Sequence, residues 1–257
     1  MSTDFTTVTE LSGDEVTAEQ VERLRHRYLW AGPFCQGRAV LEVACGAGQG
    51  LAYLSRQAGS LMAGDITPAL VERARRHYGD RIDIRVLDAA NLPLPDRSLD
   101  VVILFEAIYY LPDAHRFVAE CRRVLRSGGQ VLVATANKDL YDFNPSPFSH
   151  RYYGVVELGQ LFGKQGFRCE FFGAHPYGQV TLRQRLLRPI KRLAVALHLM
   201  PKTMAGKKLL KRLVFGGLVI MPDEIGEAGS PYVPPVELPA GRPDREHKVL
   251  YLAASLV

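Results

Sequence analysis

Asp100 is followed by five apolar residues, Val101-Val102-Ile103-Leu104-Phe105, with no polar residue alternating among them. A strand with one wet face alternates. A strand without alternation must be covered on both faces, which is the condition of a central strand in a parallel sheet. The rest of the chain agrees with such a sheet. Residues 38–44, 60–65, 81–87 and 130–135 also read as strands, and helices fall between them. Thr17-Ala18-Glu19-Gln20 fits a capping box and opens a helix that carries Val21, Leu24, Tyr28 and Leu29 at helical spacing. Pro68 takes the first position of a helix over 67–78, and Ser127-Gly128-Gly129 closes another over 114–125. Strands alternating with helices predict a doubly wound, mostly parallel α/β sheet. Beyond it, residues 137–153 read as a loop containing Asn144-Pro145-Ser146-Pro147, 155–165 as a helix and 166–172 as a strand. A Pro-rich loop over 222–243 leads to a closing strand at 248–256.

Charge is unevenly placed. Between Phe171 and Pro222 there is no Asp or Glu, yet ten Lys and Arg fall between Arg183 and Arg212, so in a chain of net +5 the remainder is acidic. On a helical wheel Leu186, Leu187, Ile190, Leu193 and Leu197 share one face, while Arg185, Arg188, Lys191 and Arg192 share the other. Lys207, Lys208, Lys211 and Arg212 repeat the pattern against Leu209, Leu210, Leu213 and Val214. Two basic amphipathic helices over 183–214 have two readings. One is a cap over a binding site with its charges solvated; the other is peripheral contact with an anionic membrane or a lipid-linked substrate. The basic run lacks the interleaved aromatics that stack on bases, which argues against nucleic acid. Asp4, Glu10, Asp14 and Glu15 interrupt the N-terminal residues, and the longest apolar stretch, 213–221, is too short for a bilayer span of roughly 20 residues. Cys35, Cys45, Cys121 and Cys169 form no CxxC pair and no metal-type spacing with histidine. A reduced, cytoplasmic protein is the expectation, peripheral at the membrane under the second reading.

The chemistry-bearing feature is the turn Glu42-Val43-Ala44-Cys45-Gly46-Ala47-Gly48 between a strand and a helix. Glycines there let backbone approach a ligand, and the helix N-terminus favours anionic or polar groups. Asp65 ends the next strand 19 residues after Gly46, about where nucleotide-binding sheets keep an acid for ribose hydroxyls. The dinucleotide fingerprint nevertheless fails, because Leu51 stands at its third glycine and Glu42 has no role in it.

Glu42-x-Ala44-x-Gly46-x-Gly48, followed in order by Gly64-Asp65-Ile66-Thr67, Asp88-Ala89-Ala90 and Asp100 to Glu106, resembles the class I S-adenosylmethionine-dependent methyltransferases, specifically their small-molecule branch. Ala44 departs from the family's first glycine. The resemblance implies a Rossmann-like, seven-stranded sheet, and the charge pattern places a basic helical insertion before its last strand. The chain reads as one domain, because its last strand is expected to return to the same sheet: an N-terminal helical lid at 1–36, a cofactor-binding core at 37–175, the insertion and Pro-rich loop at 176–246, and the final strand at 247–257. The implied cofactor is S-adenosyl-L-methionine, released as S-adenosyl-L-homocysteine. Glu42 would orient its amino group, Gly46 and Gly48 would let backbone approach it, and Asp65 would accept the ribose hydroxyls. Ile66 would pack on adenine, Asp88 and the Ala89 backbone would meet the adenine amino group, and Phe105 and Glu106 would face the sulfonium. Tyr28 matches a place where the family folds a lid over the methionine.

Methyl transfer from a sulfonium is an in-line displacement that needs alignment and, for a hydroxyl acceptor, a base. It requires no metal, and no His/Asp/Glu cluster at ligand spacing is present. His150 and Glu106 are the leading catalytic candidates, with His115 and His175 behind them and Tyr109, Tyr110, Tyr152 and Tyr153 as shaping groups. Enzymes that methylate base amines carry Asn/Asp-Pro-Pro-Tyr/Phe after the fourth strand. Phe105-Glu106-Ala107-Ile108 stands there instead, which argues against that substrate. The expectation is O-methylation of a small molecule, sugar or glycoconjugate. An RNA methyltransferase and a cofactor-binding protein with other or no chemistry are the alternatives.

Overall fold

The capping box at Thr17 forms. In the computed structural model, which describes residues 5–7, 9, 11–141, 143–146, 148–176, 217–226 and 229–257, the Thr17 hydroxyl accepts the Gln20 backbone N–H at 3.2 Å. The Gln20 side chain accepts the Thr17 N–H at 3.0 Å. Two orphan donors are thereby satisfied and α1 runs Ala18–Cys35. Just before it, β1 (Glu15–Val16) pairs antiparallel with the remote β8 (Val219–Ile220). The alternation then unfolds as β2 (Ala39–Val43), α2 (Leu51–Gln57), β3 (Ser60–Asp65), α3 (Pro68–Tyr78), β4 (Asp83–Val86), β5 (Leu99–Phe105), α4 (Ala114–Val124) and β6 (Leu125–Ala136). It continues through α5 (Val155–Gly163), β7 (Phe167–Pro176), β9 (Val236–Leu238) and β10 (His247–Leu256).

The main sheet has the order β4-β3-β2-β5-β6-β10-β7-β9. Its first five strands are mutually parallel, and β10 lies antiparallel between β6 and β7. β5 is buried as its composition requires, with Val101, Val102, Ile103 and Leu104 all at 0% exposure. Val102 and Leu104 pack with Phe117 and Val118 of α4 and Leu158 and Phe162 of α5. Val101 and Ile103 point to the other face, against Leu24, Tyr28 and Trp30 of α1. The period of two in the strand thus divides one apolar run between two helical layers.

Two details differ from the sequence expectation. Among the described residues the sheet has eight strands, because β9 forms within the Pro-rich stretch and pairs with β7 from Phe171↔Leu238 to Gly173↔Val236. Pro234, Pro235 and Pro239 flank the three ladder residues, and an edge strand tolerates prolines that a central one would not. Ser127-Gly128-Gly129 lies inside β6 as a bulge, with Gly128 at φ 73° and the β5 pairing jumping from Leu99↔Leu125 to Val101↔Gln130. The basic amphipathic helices expected over 183–214 lie outside the described residues.

Candidate active site

Strand order reverses direction at β2, whose neighbours are β3 on one side and β5 on the other. Crossovers leaving in opposite directions open a crevice at the carboxyl ends of these strands, where open α/β sheets bind ligands. The glycine turn sits there. Ala44 and Gly46 both take left-handed backbone, at φ 55° and 59°. Glycine accepts that region freely, whereas an alanine there stores roughly 1–2 kcal/mol. Asp65, at the end of β3, ties the turn down. One carboxylate oxygen accepts the Gly46 N–H at 3.0 Å and the other accepts the Thr67 N–H at 2.9 Å. Burial raises its pKa above the ordinary carboxylate value, although these N–H donors pull the other way.

A cavity of about 710 Å³ opens at this point. It is lined by Tyr28, Glu42, Ala44, Gly46, Asp65, Ile66, Asp88, Ala89 and Phe105 of the sequence-derived cofactor set, and by both catalytic candidates, Glu106 and His150. Gly48 is not among the lining residues. At φ 87° its missing side chain would meet Leu51 and Tyr78 at 3.0 Å, so it gives room to the packing beneath the turn. Tyr28 is 4% exposed and lies flat against Gly50, where any Cβ would overlap its ring. Its hydroxyl donates to Glu42 at 2.6 Å. It therefore acts here as a buried clamp on Glu42.

Glu42 is 1% exposed, and its second carboxylate oxygen has no hydrogen-bond partner. Burial pushes its pKa up to about 7, against the pull of the Tyr28 hydroxyl and the Arg27 guanidinium. Ile66, at 45% exposure, offers an uncovered apolar side chain to the same cavity. Asp88 fixes its own turn by accepting the Ala90 N–H at 2.8 Å. An unsatisfied buried carboxylate oxygen, two further carboxylates along the wall and an exposed isoleucine fit a ligand with a cationic amine, a diol and a flat ring. These are the parts of S-adenosylmethionine.

Beyond Phe105 the lining changes. Phe105 meets the Tyr28 ring edge-on at 5.3 Å between centroids. Glu106 holds left-handed backbone at φ 51°, a strain of the kind found where a side chain must be aimed. The Tyr109 hydroxyl donates to one of its oxygens at 3.1 Å, and the Arg27 guanidinium stands 3.9 Å from the other. Tyr109 stacks on Tyr152 at 4.4 Å and touches Tyr110 at 4.6 Å, and Tyr110 in turn meets Phe5 at 5.3 Å. Burial and the Glu106 charge raise the Tyr109 pKa well above its usual value, which keeps the phenol a donor. His150 is exposed at the rim, its backbone N–H donating to the Tyr109 carbonyl at 2.8 Å. Neither His115 nor His175 lines this cavity. His175 is stacked on His26 at 5.6 Å, and burial pushes its pKa down to about 4.

Sequence reasoning missed several lining residues: Arg23 and Arg27 of α1, Gln49, Met221 and Lys248. The two arginines are one helical turn apart beside Tyr28, a spacing that could have flagged them. Met221 and Lys248 arrive from remote segments. Glu19 bonds Arg23 at 2.6 Å and pairs also with Lys248. Burial alone would push its carboxyl up, but the two cations hold it at about 2. Among the described residues, no group of three His, Cys, Asp or Glu could hold a metal ion, and no helix is long and apolar enough to cross a membrane.

Residues 41–133 match a family model described as a methyltransferase domain. The chain is 40% identical over 153 residues to a probable S-adenosylmethionine-dependent methyltransferase of Mycolicibacterium smegmatis, covering 58% of this chain and 56% of that one. It is 43% identical over 99 residues to a phthiotriol/phenolphthiotriol dimycocerosates methyltransferase of Mycobacterium ulcerans, covering 37% and 36%. The chain thus spans about half, or less, of the length of these curated relatives. The solved YcgJ protein of Bacillus subtilis superposes with a TM-score of 0.59 at 18% identity, over 90% of this chain and 98% of that one. A S-adenosylmethionine-dependent methyltransferase from Archaeoglobus fulgidus does so with 0.57 at 17% identity, over 91% and 94%. At such identities the superpositions speak for the fold.

Proposed function

We propose that this chain, whose core is a class I S-adenosylmethionine-dependent methyltransferase domain, moves the cofactor's methyl group to a hydroxyl of an apolar small molecule, lipid or glycoconjugate. The observation that carries this reading is Glu106. Its carboxylate is held between the Tyr109 hydroxyl and Arg27, in the same cavity as Glu42 and Asp65, on strained backbone at the end of β5. The cofactor supplies an electrophilic methyl on a sulfonium. Glu106 would take the proton of the acceptor hydroxyl as that oxygen receives the methyl group the bound cofactor would supply. His150, at the rim of the same cavity, returns the proton to solvent.

The chain's own part is alignment, exclusion of water and that proton. Holding the two reactants in line is worth roughly 7–11 kcal/mol, and a positioned base typically adds a factor of about 10² to 10⁴. Phe5, Tyr109, Tyr110, Leu111 and Pro112 make the acceptor end apolar and aromatic. The name of the Mycobacterium ulcerans relative supports a lipid-like acceptor. The basic stretch over 183–214 supports docking on an anionic surface, where such an acceptor would be met.

The test is transfer of isotope-labelled methyl from S-adenosylmethionine to lipid and small-molecule extracts, followed by base treatment and mass analysis of the product. An ether that survives base carries the label if the proposal holds. Label confined to esters, amines or carbon, or in RNA, would overturn it. Salt-sensitive co-sedimentation with vesicles containing anionic phospholipid tests the docking surface.

A further inference from the structure

Glu42 is a buried acid with one oxygen committed and one idle. The Tyr28 hydroxyl bonds the first at 2.6 Å, and the second has no partner although Glu42 lines the cavity. A carboxylate left in that state lacks a hydrogen bond and a full counter-charge, both of which an ionised buried acid needs. The surroundings offer little compensation. From α1 come Arg27, Tyr28 and the thiol of Cys35; from the turn comes Cys45, from β3 Asp65 and from α3 the phenol of Tyr78. Phe105 of β5 adds only an apolar ring, set edge-on against Tyr28. Of these only Arg27 is cationic, and it also faces Glu106. Burial with one oxygen unpartnered therefore favours a neutral Glu42 below neutrality, in line with a pKa pushed up by burial to about 7.

A ligand ammonium placed at the idle oxygen supplies both missing elements, a donor and a positive charge, and stabilises the ionised form. We propose that cofactor binding is coupled to release of the Glu42 proton, and that Tyr28 is the positioning residue that fixes Glu42 and sets the pH at which this coupling operates. This rests on the cofactor assignment above and goes beyond it. Below neutrality, the bond breaking in the coupling step is the Glu42 O–H, its proton leaving to buffer, while the carboxylate gains an ion pair with the already protonated amine. Above about pH 8 Glu42 is ionised before the ligand arrives and releases nothing.

Tyr28 acts through Glu42. Its hydroxyl donates to the carboxylate and so lowers the pH needed for ionisation. Tyr28→Phe keeps the ring that packs on Gly50 and Phe105 but removes the donor.

The experiment is calorimetric titration of S-adenosylhomocysteine, which carries the same amino group, into the purified chain in buffers of different ionisation enthalpy. At pH 6 close to one proton should be released per ligand bound, falling towards none by pH 8. The affinity should weaken about tenfold from pH 8 to pH 6, as expected for a group ionising near 7. Glu42→Gln should abolish the proton release at pH 6. Tyr28→Phe should move the midpoint of release to higher pH, a change that loss of packing alone would not produce. Binding with no proton release in the wild type, or release persisting in Glu42→Gln, would overturn the coupling while leaving the cofactor assignment standing. No binding at any pH would overturn the cofactor assignment and the coupling with it.

Discussion

Replacing Glu42 by glutamine should stabilise the ligand-free chain at neutral and alkaline pH, and the size of the effect follows from the site. An unfolded glutamate ionises near 4.3, whereas burial pushes the folded Glu42 to about 7. A folded-state pKa above the unfolded one means the folded chain binds more protons between those values. The stability contributed by Glu42 is therefore intact below about pH 4.3 and lost as pH rises through about 7. Each tenfold change in proton concentration across that window costs about 1.4 kcal/mol, so the loss should total roughly 3–4 kcal/mol. That is a large share of a typical domain stability of about 5–15 kcal/mol.

Other groups titrate in the acid range. His175, pushed down to about 4 by burial, loses stability as pH falls below about 6.5, and Glu19, held near 2 against the cost of burial by Arg23 and Lys248, loses it below about 4.3. The wild-type curve alone is therefore ambiguous, but the difference between wild type and Glu42→Gln removes both groups. Urea unfolding of the two proteins without ligand, at intervals from pH 5 to 8.5, should show a difference that starts small and grows by about 3 kcal/mol in favour of glutamine. A difference that stays flat, or that grows in favour of glutamate, would refute the reasoning about the idle carboxylate oxygen.

Glu106→Gln should lower kcat by about 10² to 10⁴ while changing S-adenosylhomocysteine affinity less than about threefold; His150→Ala, at the exposed rim, should cost less than about tenfold. Equal losses in both variants would place the base elsewhere. Ala44→Gly should raise stability by up to about 1 kcal/mol in thermal unfolding, because relief of left-handed strain outweighs the extra freedom of the unfolded chain. Gly64→Ala should destabilise by about 1–3 kcal/mol, since the new methyl would lie 2.3 Å from Leu87 Cγ and 2.5 Å from the Arg85 carbonyl oxygen.

The parts of the site legible in the sequence are those fixed by local register. Glu42, Ala44 and Gly46 sit on one strand and turn, and Asp65 and Asp88 close the next two strands, so spacing alone brings them to one edge of a parallel sheet. The apolar run of β5 announced its burial for the same reason. What spacing could not supply was direction. Gly48 shares the turn with Gly46, yet its Cα faces Leu51 and Tyr78 beneath it, a matter of backbone angle. Tyr28 reads as a helix-face aromatic, and only the packing of α1 on β2 brings its hydroxyl to Glu42. Met221 and Lys248 enter the cavity because β8 pairs with β1 and β10 inserts beside β6, contacts between segments more than a hundred residues apart. β9 was hidden because its prolines mark a loop unless the strand is known to be an edge.

The most direct measurement is equilibrium binding of S-adenosylhomocysteine to the chain at pH 8, set against Asp65→Ala and Asp88→Ala. The cavity at the ends of β2 and β5 should bind one ligand per chain. Affinity should fall at least about tenfold in each variant, with Asp88→Ala, which loses only an exposed turn bond to the Ala90 N–H, unfolding slightly below the wild-type temperature. Undetectable binding by the wild type, or full affinity in both variants, would contradict the assignment of this cavity to the cofactor.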